Sequence, residues 1–135
     1  MRLILIVAVL LTACAPTSRG ATDNPLHAEL VMLTGSSARQ CGLVPLGKDP
    51  AAAWKCAQSA DRKNAPYWFA LQRRAIDSEA WSAAVLTPSG QRYILAYDSN
   101  YMGGPGLLPR FTREACDGQI VLELQTPKGL NCSRK

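Results

Sequence analysis

The side chains able to do chemistry are few, and the cysteines lead them. The chain has five, Cys14, Cys41, Cys56, Cys116 and Cys132. None are in C-x-x-C spacing, and His27 is the single histidine, so the ligand set of a zinc centre is missing. Cys14 stands apart, directly behind an apolar run. The other four form an even set, which in an oxidising compartment reads as two disulfides. Four cysteines leave three connectivities open. Proximity along the chain favours Cys41–Cys56 and Cys116–Cys132, each closing a loop of about 15 residues, worth roughly 3 kcal/mol in the chain-entropy model.

The remaining reactive groups are sparse. His27 would have to be recruited across the domain to Ser78 or Ser99 to make a nucleophilic triad, and no G-x-S-x-G is present. Asp77 and Asp98 each end an expected strand and are the one carboxylate pair to nominate for acid–base work. An Asp-Ser step after a strand is also ordinary turn-capping chemistry. Met102-Gly103-Gly104-Pro105-Gly106 lacks the Lys-Ser/Thr and following helix of a phosphate cradle, and Pro105 removes a backbone donor. The expectation is a protein without catalytic residues, metal or cofactor, which binds rather than turns over.

Arg2 followed by the apolar run Leu3 to Leu11 gives nine residues, against the about 20 that a permanent bilayer span needs. That is the pattern of a secretory signal. Leu11-Thr12-Ala13-Cys14 resembles the lipobox of bacterial lipoproteins, over this stretch alone. The resemblance implies cleavage before Cys14 and acylation of its sulfur and amino group. Ala15, rather than Asp, follows the cysteine, which by the sorting rule of that family implies the outer membrane, facing the periplasm. In size and layout the whole chain also resembles the small envelope lipoproteins of Gram-negative bacteria.

Removing thirteen of the 135 residues leaves 122, one domain with a tether. The tether is expected over 14–25 and the domain over 26–135. Formal charge is +5, and +4 without Arg2. In the cytosol such a balance would raise nucleic acid as a partner. Behind a secretory signal the counter-charges are lipid headgroups and cell-wall polymers. The expected partners are therefore the membrane, through the N-terminal lipid, and a protein or cell-wall component, with no nucleic acid.

Asn24-Pro25 has the chemistry of a helix start, and Leu26, Leu30 and Leu33 follow at helical spacing up to Gly35. A short strand through Leu30–Leu33 is the rival. Asp49-Pro50 opens a run of good helix formers to Lys63, with Ala53, Ala57 and Ala60 on one narrow face able to sit close to a sheet. Tyr67–Arg73, Trp81–Leu86, Arg92–Tyr97, Arg110–Ala115 and Gln119–Gln125 read as strands, and Pro127–Lys135 as a tail. The expected fold class is α+β: a small antiparallel sheet of four or five strands, one packed helix and two disulfides.

Thr87-Pro88-Ser89-Gly90 suits a type I turn with a G1 bulge at Gly90. That loop pairs Thr87 with Gln91, and so sets Val85 opposite Tyr93, Ala83 opposite Leu95 and Trp81 opposite Tyr97. The other face carries Leu86, Arg92 and Ile94, a mixed apolar and basic surface suited to a partner. Tyr101, in the glycine-rich loop, is an exposed aromatic able to close over it. Ser89-Gly90-Gln91-Arg92-Tyr93 resembles the Ser-Gly-x-x-Tyr segment of membrane-bound C-type lysozyme inhibitors. That resemblance implies an inhibitor of a cell-wall hydrolase, with Ser89 the residue offered to the enzyme.

Overall fold

The computed structural model describes residues 24–106 and 108–133. The apolar stretch, Cys14 and the expected tether up to residue 23 lie outside them. So do Leu107, Arg134 and Lys135.

The chain folds as α1 (Pro25–Thr34), β1 (Arg39–Val44), α2 (Ala51–Arg62), β2 (Tyr67–Arg73), β3 (Ala80–Leu86), β4 (Arg92–Asp98), β5 (Arg110–Cys116), β6 (Gln119–Glu123) and β7 (Gly129–Ser133). Strands β1 to β5 lie side by side in sequence order, while β6 and β7 form a separate two-stranded sheet. The class is α+β, with disulfides Cys41–Cys56 and Cys116–Cys132.

The meander β2–β3–β4–β5 is antiparallel throughout. Its central hairpin has the expected register, with Val85 opposite Tyr93, Ala83 opposite Leu95 and Trp81 opposite Tyr97. Thr87 N–H donates to Gln91 O at 2.9 Å, and Gly90 adopts φ +83°, as the turn chemistry requires.

β1 was not among the expected strands, and it makes the sheet mixed rather than wholly antiparallel. It pairs parallel to β2, because α2 carries the chain back across the sheet between them. Its register slips between Gln40 and Leu43, so that Cys41 and Gly42 oppose the single residue Phe69. This bulge, with Gly42 at φ +112°, turns both Cys41 and Val44 to the α2 side. A regular strand would send residues three apart to opposite faces.

Both faces of the sheet are covered at its centre, while β5 is exposed along all but Cys116. On one, α1 buries Leu26 and Leu30 against Trp68, Ala83, Val85 and Leu95. Asn24 caps this helix through Leu26 N–H at 2.9 Å, so the helix and not the rival strand forms. On the other face, α2 sets Ala57 and Ala60 against Tyr67, Phe69 and Leu86, and Trp54 rests 5.5 Å from the Phe69 ring. The β6–β7 hairpin completes that face with Ile120 and Leu130. The strand expected over Gln119–Gln125 therefore ends at Glu123 and leaves the main sheet, and the expected tail contains β7. With both faces occupied, every residue of β3 is buried, which suits its alanine-rich sequence. No helix among the described residues is long and apolar enough to cross a membrane.

Candidate binding cleft at the carboxyl ends of β1 and β2

Where a parallel pair ends and the crossover helix begins, an α/β sheet opens a crevice. Here the link 45–50 must leave β1 and turn back into α2. Gly47 at φ +80° and a Lys48 N–H to Pro45 O bond of 3.1 Å shape its turn. Gln72 holds it over β2, with its Oε1 accepting from Leu46 N–H at 3.1 Å. Asp49 Oδ1 accepts from Ala51 N–H at 3.0 Å and starts α2.

The link 124–128 between β6 and β7 forms the opposite wall. Thr126 Oγ1 donates to Glu123 O, and Gly129 N–H returns to Thr126 O at 3.0 Å. Gly129 sits at φ +68°, and a Cβ there would come within 3.3 Å of Leu71 Cδ1, so the hairpin is pressed against β2.

Between the two links lies a cleft of about 450 Å³ floored by Val44 and Leu71 and walled by Leu46 and Leu124. That size suits a small ligand or a headgroup. Lys48, Arg73, Arg74 and Lys128 line it, and no carboxylate does. Lys128 pairs with Glu114 at 3.2 Å, both side chains more than half exposed, a geometry of little energetic worth. Lys48, Arg73 and Arg74 make no ion pair among the described residues. Arg73 Nε is buried with no hydrogen-bond partner. A buried donor left unpaired costs about 1–3 kcal/mol, which an anionic ligand reaching it would offset.

Arg73 also lines a second cavity, of about 310 Å³, with Asp98, Tyr101 and Arg110. The Arg110 guanidinium stands 4.1 Å from the Tyr101 ring centre. Asp98 Oδ1 accepts from Asn100 N–H at 2.9 Å, so it caps its turn. Asp77 Oδ2 lies beside Gly103. Ser99 Oγ accepts from Glu79 N–H at 2.8 Å. Asp98 and Ser99 thus brace the loops at the end of β4. His27 packs edge-on to Trp68, with ring centres 5.4 Å apart. No cluster of three potential metal ligands occurs among the described residues.

A third cavity, of about 420 Å³, lies between α2 and β6 against Trp54, Asp61 and Tyr67. Its carboxylate is already answered. Arg92 Nε meets Asp61 Oδ1 at 2.8 Å, and a second guanidinium nitrogen reaches Oδ2 at 3.2 Å. Burial, and then the Asp61 charge, push the Tyr67 phenol well above its ordinary range. The Asp61 hydrogen bond raises Arg92, with burial opposing it. Asp61, Arg92 and Tyr67 thus form a structural knot, while Arg62, at the end of α2, is the one cation lining this cavity, and it makes no ion pair among the described residues.

The surface expected on the outer sheet face is corrected by these contacts. Leu86 is 0% and Ile94 5% exposed, both within the core beneath α2. Arg92 lies on that covered face and is held by Asp61. The expectation failed because α2, the helix expected to pack on the sheet, lies on this face together with the β6–β7 hairpin, while α1 covers the other. Tyr101 is exposed, at the other end of β4 from the turn that carries Ser89. Ser89 is exposed at that hairpin tip, its hydroxyl 2.8 Å from Thr87 Oγ1.

The residues of the cleft were not singled out by sequence reasoning. They come from three separated segments, and the only local signal was the Arg73-Arg74 pair directly after an aromatic strand. No protein-family model, curated protein or solved structure matches the chain.

Proposed function

We propose that this chain is a lipid-anchored protein of the cell envelope, held through Cys14 at the outer membrane facing the periplasm, and that it works by binding rather than turnover. Its ligand is an anionic amphiphile, a phosphate or carboxylate group attached to a short apolar moiety, seated in the cleft at the carboxyl ends of β1 and β2. Support for the location comes from the signal-like N-terminus, the lipobox resemblance and the fully paired set of four downstream cysteines. One observation carries the ligand reading: Lys48, Arg73, Arg74 and Lys128 line a single cleft that no carboxylate lines. Guanidinium forks suit phosphate and carboxylate oxygens. The Leu46, Leu71 and Leu124 walls accept methylenes.

Titration calorimetry of the purified protein with a short-chain alkyl phosphate tests the reading. Saturable binding is expected, weakening with salt and lost in Arg73→Gln with Arg74→Gln. An alcohol of the same chain length should bind far more weakly. Equal affinity for the phosphate and the alcohol would contradict it.

A further inference from the structure

Eight large apolar side chains are exposed among the described residues, and six belong to one end of the sheet: Leu46, Ile76, Tyr101, Met102, Leu108 and Leu124. Ile76 is fully exposed, and Met102 is 70% exposed. They lie in the links β1–α2, β2–β3, β4–β5 and β6–β7. The opposite end is built from links 35–38, 63–66, 87–91 and 117–118, and none of these exposes a large apolar residue. The apolar links are tied together. Glu79 and Ser99 exchange two hydrogen bonds of 2.8 and 2.9 Å, Gln72 holds Leu46, and Arg73 borders both cavities.

Cations stand among these tips: Lys48, Arg73, Arg74 and Arg110. The carboxylates of the same end have contacts within their own chain, Glu123 accepting from Asn131 Nδ2. Asp49 accepts from Ala51 N–H, Glu79 from Trp81 Nε1 and Asp98 from Asn100 N–H, while Asp77 lies against Gly103. Apolar tips backed by unpaired cations match the layering of an anionic bilayer surface. The tips reach the acyl boundary, and the cations stay at the level of the phosphates.

We infer that this end of the sheet is a membrane-contact surface for anionic lipid, which orients the domain so that the cleft opens onto the headgroups. The inference rests on the lipid-anchored reading for its location and adds a second, independent contact. A lipid on Cys14 alone would hold the domain near the bilayer without choosing which of its ends faces the lipid. The loop end supplies that choice.

The test uses the membrane-purified full-length product, reconstituted into vesicles of phosphatidylcholine with or without phosphatidylglycerol. The anchor is common to both vesicles, so a difference between them reads the surface. Hydrogen exchange in links 74–79 and 99–109 is expected to slow several-fold only on the phosphatidylglycerol vesicles. Salt, or Met102→Ser with Leu108→Ser, should remove that protection. Arg74→Gln should weaken the contact about fivefold, the worth of one cation at such a surface. Equal exchange on both vesicles, or protection at the 87–91 turn instead, would overturn the inference. The mass of the N-terminal peptide separately reads whether the anchor exists. Alkyl phosphate binding, which does not involve Met102 or Leu108, separately reads the cleft.

Discussion

Arg92 and Asp61 stand 31 residues apart and meet in a two-pronged ion pair, Nε to Oδ1 at 2.8 Å and the second nitrogen to Oδ2 at 3.2 Å. The pair fastens the start of β4 to the last turn of α2, with both side chains about one-fifth exposed. Arg92→Gln removes the charge and strands a half-buried carboxylate. The expected loss is about 1–3 kcal/mol, the range for hydrogen bonds to charged groups. Urea unfolding measures it. A double-mutant cycle with Asp61→Asn should show coupling, because the two changes remove one interaction. Additive effects would contradict the pairing.

Tyr67 carries the alkaline limit of stability. Burial and the Asp61 charge raise its phenol above the ordinary value, so the folded chain holds that proton more tightly than the unfolded chain. The resulting stabilisation is fully present below pH about 10, the unfolded value, and is lost as pH rises from there through the folded pKa. Tyr97 is raised in the same direction, by burial and then by Glu79 and Asp98. Phenolate absorbance should show tyrosine ionisation extending above the ordinary range, and Tyr67→Phe should remove part of that late step. Tyr67→Phe should flatten the decline of stability above pH about 10. An unchanged slope would contradict this role.

The Cys41–Cys56 bond ties an edge strand to the helix above it. Replacing both cysteines with serine frees a loop with sequence separation 15, worth roughly 3 kcal/mol. β1 pairs with β2 alone, so its amides should exchange first in the variant. Guanidinium unfolding and residue-resolved exchange check both statements.

The parts of the fold legible in the sequence are those where local chemistry and period agree. Between β3 and β4, the Pro88 and Gly90 turn and the alternating apolar residues point to one register. Asn24-Pro25 and Asp49-Pro50 announce α1 and α2 for the same reason. β1 stayed hidden because its bulge breaks the period of two, and an Arg-Gln-Cys-Gly-Leu-Val run with its faces switched midway looks like a loop. The face of Leu86, Arg92 and Ile94 is buried because α2 packs on it, and no local pattern records which face of a two-sided apolar strand a distant helix covers. The cleft was illegible for a related reason: Lys48, Arg73 and Lys128 are brought together only by the crossover and the terminal hairpin.

The carboxylates that looked most like a catalytic pair are expected to be dispensable for ligand binding. Asp98 caps a turn that asparagine can also cap, and Asp77 packs on Gly103. Asp77→Asn and Asp98→Asn should keep the affinity of the wild type within about twofold, the change that 0.4 kcal/mol brings. In a strain lacking the chain, each variant should complement as the wild type does at matched expression. Loss of complementation by a folded carboxylate variant would point to turnover instead of binding.

The cleft itself is read most directly by amide chemical-shift mapping of the labelled protein titrated with a short-chain alkyl phosphate. The account predicts saturable shifts centred on Leu46, Gly47, Lys48, Arg73, Arg74 and Gly129, with the Arg73 Nε–H resonance moving as its proton finds an acceptor. Shifts centred on Gln58, Asp61 and Gln119 in the cavity beside α2, or changes that never saturate, would contradict it.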